Sequence, residues 1–462
     1  MSEPRRSLNP FRVLLTHRNF RLFWGGQTVS LVGTWMQSVA QGWLALELSD
    51  DPFLVGLVAA AGSLPVLLFS LHAGVLADRV DKLRLIIIAQ ALMLVEAALL
   101  WWLVWSGHVT IGWLVGLAFA HGTFQAVDIP SRQALMVELV GREDVVDAIA
   151  LNSTGFNLAR IVGPSIAAVV IAQFGLAWCF GLNALSYLAV LAALLRIQRP
   201  PPRVVPSTLS PLEGLLEGLR YVRRTPTVAV LMRQTAVFSI FGMPYLTLMP
   251  VYARDVLRVG ASGYGLLLSA VGIGAVMGAL TLASVGRRVR RGRTLYAALV
   301  TFAVALVVVA VAHRMALVVP ALLVAGLAMI VNNALTNGLL QTTAPDAFRG
   351  RVMSVYSLVF IGLSPAGSLL AGGVAREAGV ERAIGVGALV VLGFALFSAW
   401  RHPAVREACA GPGRASRSWG AARRDGQGRS AGGTHPNRVR ATNRMASAAP
   451  STPSQAVFTQ RW

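Results

Sequence analysis

Twelve long stretches of mostly apolar residues recur along the chain, and they constrain its fold more than any other feature. A helix needs about 20 apolar residues to cross the hydrocarbon core of a bilayer. Charged residues make up only 13% of the 462 residues, while 55% are hydrophobic; a globular domain has about 25% charged residues. We therefore predict an all-α membrane protein with twelve transmembrane helices. The predicted spans are residues 22–48, 53–76, 85–105, 109–127, 146–174, 176–197, 228–252, 263–285, 295–313, 316–340, 352–374 and 384–400.

Basic residues lie mainly in alternate connections between the spans. Four arginines precede residue 20, and the connections after the even-numbered spans carry most of the others. The opposite connections are poor in arginine; their exceptions are Arg254, Arg258, Arg314, Arg376 and Arg382. Because arginine and lysine favour the cytoplasmic side, we predict that both termini are cytoplasmic. The net charge of +21 then reflects topology and a basic tail, and it does not indicate a nucleic-acid partner.

One long connection divides the spans into two sets of six. It contains PLEGLLEGLRYVRRTP, whose apolar residues recur at helical spacing and predict an amphipathic helix on the inner membrane surface. The two sets resemble each other, which predicts two pseudo-symmetric six-helix bundles in a monomeric protein. The predicted segments are a cytoplasmic N-terminal segment (1–21), an N-terminal bundle (22–197), the linker (198–227), a C-terminal bundle (228–400) and a disordered basic tail (401–462).

Polar residues recur every three or four positions in the first, fourth and tenth spans, and a mixed polar and aromatic face marks the seventh. These are equivalent positions of a three-span repeat, so together they predict a wet central cavity for a small molecule. The alternative is that they only join helices by hydrogen bonds. The candidate cavity residues are Gln27, Thr34, Gln37, Gln41, His121, Gln125, Gln234, Tyr245, Asn333 and Asn337.

Ionisable side chains are rare well inside the spans, and each is a functional candidate because burial of charge is costly. Asp128, Glu96, His121 and Arg160 are the candidates for proton coupling. The alternative is a structural ion pair of Arg160 with Glu96 or Asp128. The third span is expected at the periphery, which counts against a direct substrate contact for Glu96.

Two short motifs resemble those of the major facilitator superfamily. Gly74, Asp78, Arg79 and Arg84 are similar to its loop motif, although Asp81 and Leu83 replace the usual glycine and arginine. In that superfamily the motif latches the cytoplasmic ends of the two halves in the outward-facing state. Gly163 and Pro164 in the fifth span resemble the glycine–proline motif of antiporters, with Ala167–Ala168 in place of a small-glycine pair.

From about residue 11 to residue 400, the chain resembles the enterobactin-exporter-like branch of this superfamily, which also includes macrolide-type drug exporters. This resemblance is carried by residues 17–49, 128–153, 156–164 and 217–226. The resemblance implies a bacterial inner-membrane carrier that exports a bulky, partly apolar molecule with the proton gradient. The arginine usual in the fourth span of proton antiporters is missing, and His121 and Gln125 occupy that region.

Two alternatives to efflux stay open: an importer of the same fold, and a membrane receptor or scaffold that transports nothing. No GxxxxGK[ST] loop, catalytic triad or metal-binding spacing occurs in the sequence, so we expect no enzyme activity, cofactor or metal. The expected partners are the lipid bilayer, a small-molecule substrate and protons.

Overall fold

The computed structural model describes residues 12–198, 211–285 and 289–406, and its regular elements in these ranges are all helical. Residues 1–11 of the predicted N-terminal segment, 199–210 of the linker and 407–462 of the predicted basic tail lie outside the described residues.

The helices up to residue 198 are α1 (Arg12–Thr16), α2 (Arg18–Ser49), α3 (Pro52–Arg79), α4 (Lys82–Trp105), α5 (Ile111–Phe174) and α6 (Ala177–Leu195). Those after residue 210 are α7 (Pro211–Arg224), α8 (Pro226–Val237), α9 (Tyr245–Val251), α10 (Gly260–Val285), α11 (Arg291–Val311), α12 (Met315–Thr343), α13 (Asp346–Gly362), α14 (Ser364–Ala378), α15 (Val380–Arg401) and α16 (Pro403–Arg406). Two π-helical turns, Phe238–Gly242 and Tyr252–Val256, flank α9.

Ten helical segments of the described chain are long and apolar enough to cross a membrane. Helix α2 and the first part of α5 are also long enough to cross a membrane. Their mean hydropathy is lower than that of the ten segments, because they carry the polar residues noted above. The chain is therefore an all-helical, multi-pass membrane protein.

Local sequence explains where several helices begin and end. The Asp51 carboxylate accepts a hydrogen bond from the Phe53 amide (2.9 Å) and caps α3, which then starts with a proline. Asp81 caps α4 in the same way, through the amides of Leu83 (3.0 Å) and Arg84 (3.3 Å). These caps satisfy amides that have no partner inside the helix.

Helix α5 continues beyond residue 127, where the fourth predicted span ends. The helix continues to Val140 and breaks at Gly141, whose φ of 77° and ψ of 178° are not helical. The charged side chains between residues 128 and 140 are paired: Arg132 binds Asp128, and Glu138 binds Lys82 of α4 at 2.8 Å. We call residues 111–140 α5a and Glu143–Phe174 α5b.

Two predicted spans are interrupted. The seventh consists of α8, α9 and the π-helical turns beside them, with Pro244 and Pro250 in this region. Proline has no amide hydrogen to donate, which favours such irregular turns. The eleventh is divided into α13 and α14 at Leu363.

Buried apolar residues form three clusters that define two ends of the molecule. The near end is where α2 begins, and the far end is where the turn between α2 and α3 lies. At the near end one cluster is built only from residues between Val13 and Ile197, and a second only from residues between Val222 and Val405. The third, the shared cluster, extends from mid-depth to the far end and combines residues of both parts of the chain. The two parts therefore pack together at the far end and have separate cores at the near end.

Helix α7 confirms that a helix follows the proline-rich part of the linker, and it packs against α13. Tyr221 stacks on Phe348 with ring centroids 4.9 Å apart, and Glu217 pairs with Arg351 at 2.5 Å. Gly218 lies against the Arg351 carbonyl. Leu216 and Leu219 remain exposed.

Candidate functional site

A cavity of about 340 Å³ lies between α2, α3 and α5a on one side and α9 and α10 on the other. It thus separates the two parts of the chain that meet in the shared cluster. Its wall combines polar side chains with the rings of Trp35 and Tyr264, a mixture suited to a molecule that is partly apolar and partly polar. Five predicted cavity residues line it: Thr34, Gln37, Gln41, His121 and Gln125.

A buried carboxylate stands behind this wall. Glu96 of α4 is 3% exposed and accepts hydrogen bonds from the Gln37 side-chain amide at 3.3 and 3.4 Å. The His121 ring meets the same carboxylate through Nδ1 at 3.1 Å. On its other side, the His121 Nε2 lies 2.9 Å from the Gln125 amide nitrogen. A neutral His121 with its proton on Nδ1 satisfies both contacts, since it donates to Glu96 and accepts from Gln125.

This arrangement connects the buried acid to the cavity through two side chains that line it, Gln37 and His121. It is held in place from α6, because Asn183 donates to Gln37 Oε1 at 2.7 Å and Ser186 donates to Asn183. Sequence reasoning missed Asn183: it occurs alone in an apolar span, and its partner is 146 residues away.

Asp128 also lies buried, at 3% exposed, but its environment differs. It pairs with Arg132 one turn further along α5a and accepts from Gln90 of α4 at 3.1 Å. It does not border the cavity. Its carboxylate therefore has a cationic partner on its own helix, whereas the partners of Glu96 among the described residues are the neutral Gln37 amide and the His121 imidazole.

Arg160 lies about halfway along α5b and pairs with neither Glu96 nor Asp128. Its Nη2 is buried and has no hydrogen-bond partner among the described residues. The alternative of a structural ion pair with either acid is thus not observed.

The remaining predicted cavity residues lie outside this cavity. Gln27 and Gln234 are buried, and Gln234 donates to Asn332 of α12 at 2.9 Å. Tyr245 packs edge-on against Phe302. Asn333 and Asn337 are half-buried on α12. Gln234 matches the alternative of hydrogen bonds between helices, and it does so through Asn332, one position from the predicted stripe. The substrate roles of all ten residues remain predictions.

The glycine of the glycine–proline pair allows α5b to approach α2. A Cβ on Gly163 would lie 2.5 Å from the Trp35 Cβ and 2.9 Å from the Val32 carbonyl oxygen. Pro164 follows inside the helix, and its carbonyl lies against Gly265 of α10. The pair thus sits where α5b packs between α2 and α10, directly behind a cavity-lining tryptophan.

The loop motif is only partly described. The side chains of Asp78 and Arg79 lie outside the described residues. Gly74 has open space where a Cβ would be, and the Arg84 Nε lies 3.6 Å from Asp81. In the described part of the chain, no group of three or more His, Cys, Asp or Glu side chains that could hold a metal ion is found.

Known transporters resemble the chain over most of its length. The multidrug efflux pump Tap of Mycolicibacterium fortuitum is 31% identical over 364 residues, which cover 76% of this chain and 87% of Tap. The staphyloferrin A transporter of Staphylococcus aureus is 25% identical, with 79% of this chain and 92% of the relative covered. The enterobactin exporter EntS of Shigella boydii is 26% identical, with 78% and 86% covered.

Solved transporters share the fold. A peptide transporter, POT, superposes with a TM-score of 0.70 at 12% identity and covers 87% of this chain and 100% of its own. The nucleoside transporter NupG gives a TM-score of 0.68 at 13% identity, with 86% and 100% covered.

The model of the transmembrane secretion effector family matches residues 7–417, which include all the helices described above. Three observations point to the same conclusion: the helices are apolar enough to cross a membrane, a cavity lies between two parts of the chain, and the family model covers both parts. The chain belongs to the transmembrane secretion effector family of the major facilitator superfamily, and it is a transporter and not an enzyme.

Proposed function

We propose that the protein is a proton-driven efflux carrier for siderophores or drug-like amphiphilic molecules, and that it works by alternating access. Twelve transmembrane helices form two six-helix bundles, 22–197 and 228–400, which rock around the central cavity. The near end faces the cytoplasm because its connections hold most of the arginines, so both termini are cytoplasmic. The relatives that export drugs or a siderophore support efflux over import.

The three apolar clusters support this mechanism. The bundles share one core at the far end and have separate cores at the near end, as a carrier closed to the outside and divided at its cytoplasmic side requires. The motif of Gly74, Asp78, Arg79 and Arg84 would join the cytoplasmic ends in the opposite state. In the conformation described here, Arg84 contacts Asp81 of its own bundle.

The observation that carries the proton-coupling proposal is the Glu96–His121 pair behind the cavity wall. A buried carboxylate without a fixed cationic partner can exchange a proton and change its charge at little cost to its neighbours, because the amides and the imidazole can reverse their hydrogen bonds. Imidazole readily takes or releases a proton near neutral pH. Glu96 with His121 therefore carries the proton, whereas Asp128, paired with Arg132 of its own helix, holds α5a against α4 through Gln90.

The substrate is identified first. A deletion strain and its complemented parent are compared for secretion of siderophores and for sensitivity to a panel of antibiotics. The compound whose export depends on the gene then serves in proteoliposomes. An importer would give depletion of the compound from the medium instead, and a scaffold would give no difference for any compound.

Glu96→Gln tests the coupling. We expect this variant to keep exchange of labelled for unlabelled substrate across the liposome membrane, because exchange needs only the loaded carrier to reorient. Accumulation driven by a pH gradient should fall to the level of empty liposomes, because the amide has no proton to exchange. The matched control is Glu47→Gln, which makes the same chemical change at an exposed acid whose partner is Trp43 on its own helix. Gradient-driven accumulation by Glu96→Gln at the rate of the wild type would refute the assignment.

A further inference from the structure

Arg160 carries a positive charge at mid-depth without a partner for it. Its Nη2 is buried with no hydrogen bond, and no ion pair is formed by this side chain in the described part of the protein. An isolated charge in the membrane interior is unfavourable, so such residues are rare and functional in membrane proteins. The arginine is therefore expected to meet an acceptor that the described residues do not supply.

The acids nearest in depth already have other partners. Glu96 binds Gln37 and His121, and Asp128 binds Arg132. The acids at the far end, Asp50 and Asp51, pair with arginines of the other bundle. No carboxylate among the described residues is thus placed to neutralise Arg160.

A second unsatisfied group lies within electrostatic range of the first. The hydroxyl of Tyr245 on α9 is buried without a hydrogen-bond partner, and Tyr245 and Arg160 are close enough to interact electrostatically. The two residues belong to different bundles. Buried polar groups in proteins nearly always have partners, so two neighbouring exceptions indicate a missing acceptor.

The position of Arg160 relates it to the cavity. Phe156, Arg160 and Gly163 are spaced at four and three residues, so they share one face of α5b. The Phe156 ring packs edge-on against the cavity-lining Trp35 (5.7 Å between centroids), and Gly163 lies against the Trp35 Cβ. On the opposite side, the residues that follow Tyr245, namely Leu246 and Thr247, line the same cavity. Neither Arg160 nor Tyr245 lines this cavity, but each lies near residues that do: Arg160 on the helix face that packs against Trp35, and Tyr245 directly before Leu246 and Thr247.

We propose that Arg160 and Tyr245 bind an acidic group of the transported molecule, a carboxylate or a phenolate. The guanidinium presents parallel N–H donors that suit a two-oxygen acceptor, and the phenol adds a further donor from the other bundle. The substrate class is then an anionic amphiphile whose apolar part rests on Trp35. This inference rests on the proposed function, since it concerns the cargo of that carrier.

The test measures binding to the full-length protein in nanodiscs of phosphatidylcholine. The probes are dansylglycine, which carries a carboxylate, and dansylglycinamide, which has the same fluorophore and no charge. Energy transfer from tryptophan to the dansyl group reports binding. We expect the wild type to bind the acid more tightly than the amide, and Arg160→Gln to lose that preference by about 10- to 100-fold, the range for a charge-assisted hydrogen bond.

Two further variants keep the test decisive. Arg233→Gln is the matched control, because Arg233 is exposed and its hydrogen bond within the described ranges goes to the Ala229 carbonyl of its own helix. The preference of this variant for the acid should equal that of the wild type. Tyr245→Phe removes a hydroxyl that has no partner, so the protein should fold normally and bind the acid about fivefold more weakly. Thermal unfolding of Arg160→Gln should occur at the same or a higher temperature, because an unpaired buried charge is removed.

Retention of the acid preference in Arg160→Gln would overturn the proposal, as would a wild type that binds dansylglycine no better than the amide or not at all. A clear loss of stability in Arg160→Gln would also overturn it, because it would show that the arginine is needed by the fold. The assay uses no proton gradient, so its outcome is independent of the Glu96 experiment.

Discussion

Closure of the far end depends on a glycine contact between α3 and α14. Gly372 is buried, and a Cβ there would lie 2.8 Å from the Pro52 carbonyl oxygen and 3.1 Å from the Phe53 Cα. Gly56 faces the same contact, with the Ser368 carbonyl oxygen 2.5 Å from its own Cβ position. Both clashes involve backbone, which cannot rotate away as a side chain does. Gly372→Ala therefore forces the two helices apart in the conformation described here.

The size of the effect follows from the cost of overpacking, about 1–3 kcal/mol. In the proposed cycle the two helices belong to different bundles and separate when the far end opens, so this cost applies only while α3 and α14 touch. The equilibrium should shift towards the far-open state by roughly 5- to 150-fold. Gly373→Ala is a matched control: it adds the same methyl group to the same helix at a position with no atom within 4 Å.

Cysteine labelling measures this shift. Ser63, which lines the cavity, is replaced by cysteine in a protein whose own Cys179 and Cys409 are removed. An impermeant maleimide added to intact cells reaches the new thiol only through the far end. We expect labelling to be faster in Gly372→Ala by up to the factor given above and unchanged in Gly373→Ala. Equal labelling rates in the two glycine variants would refute the reasoning, because they would show that the contact does not limit opening.

Two other predictions concern packing. Gly163→Ala should lower the thermal midpoint by roughly 2–8 °C, because its methyl group meets the Val32 carbonyl and Trp35; Gly116→Ala, which has open space at its Cβ, is the control, and equal midpoints would contradict the prediction. Cys179 is fully buried in the shared cluster, so maleimide should modify it only after denaturation, as mass spectrometry of the native protein would show. Rapid modification of this thiol in the native state would mean that the cluster is open to water.

The positions of the helices were largely predictable, because burial in a bilayer leaves a long apolar run for each helix. Helix α7 was predicted from the spacing of its leucines. The helix of the fourth span continues beyond its predicted end at residue 127 to Val140, where Asp128 and Arg132 lie one helical turn apart and neutralise each other. That spacing was visible in the sequence. The interruptions near Phe238 and at Leu363 depend on packing between helices, which a single stretch of sequence does not contain.

Several residues that line the cavity were predictable from the sequence, but the hydrogen bonds among the side chains of the site were not. Thr34, Gln37, Gln41, His121 and Gln125 were identified by helical spacing, and they line one cavity. The contact of Glu96 with His121 joins two helices, and the helix of Glu96 was expected at the periphery, so spacing within a helix gave no indication of it. For Arg160 the sequence left open a role in proton coupling or an ion pair with Glu96 or Asp128, because it cannot show that both acids have other partners.

The distribution of apolar burial has a consequence for the energetics of the transport cycle. In the proposed cycle, opening the far end would divide the shared cluster and expose part of it to water, which is unfavourable in proportion to the area exposed. Each near-end cluster is confined to one bundle. The apolar area that it buries therefore stays the same as the bundles tilt, and it does not offset the cost at the far end. Without cargo the carrier should therefore rest with its cytoplasmic entrance open. In the proposed cycle, a bound molecule shifts this balance only if it interacts more strongly with the far-open state than with the resting one.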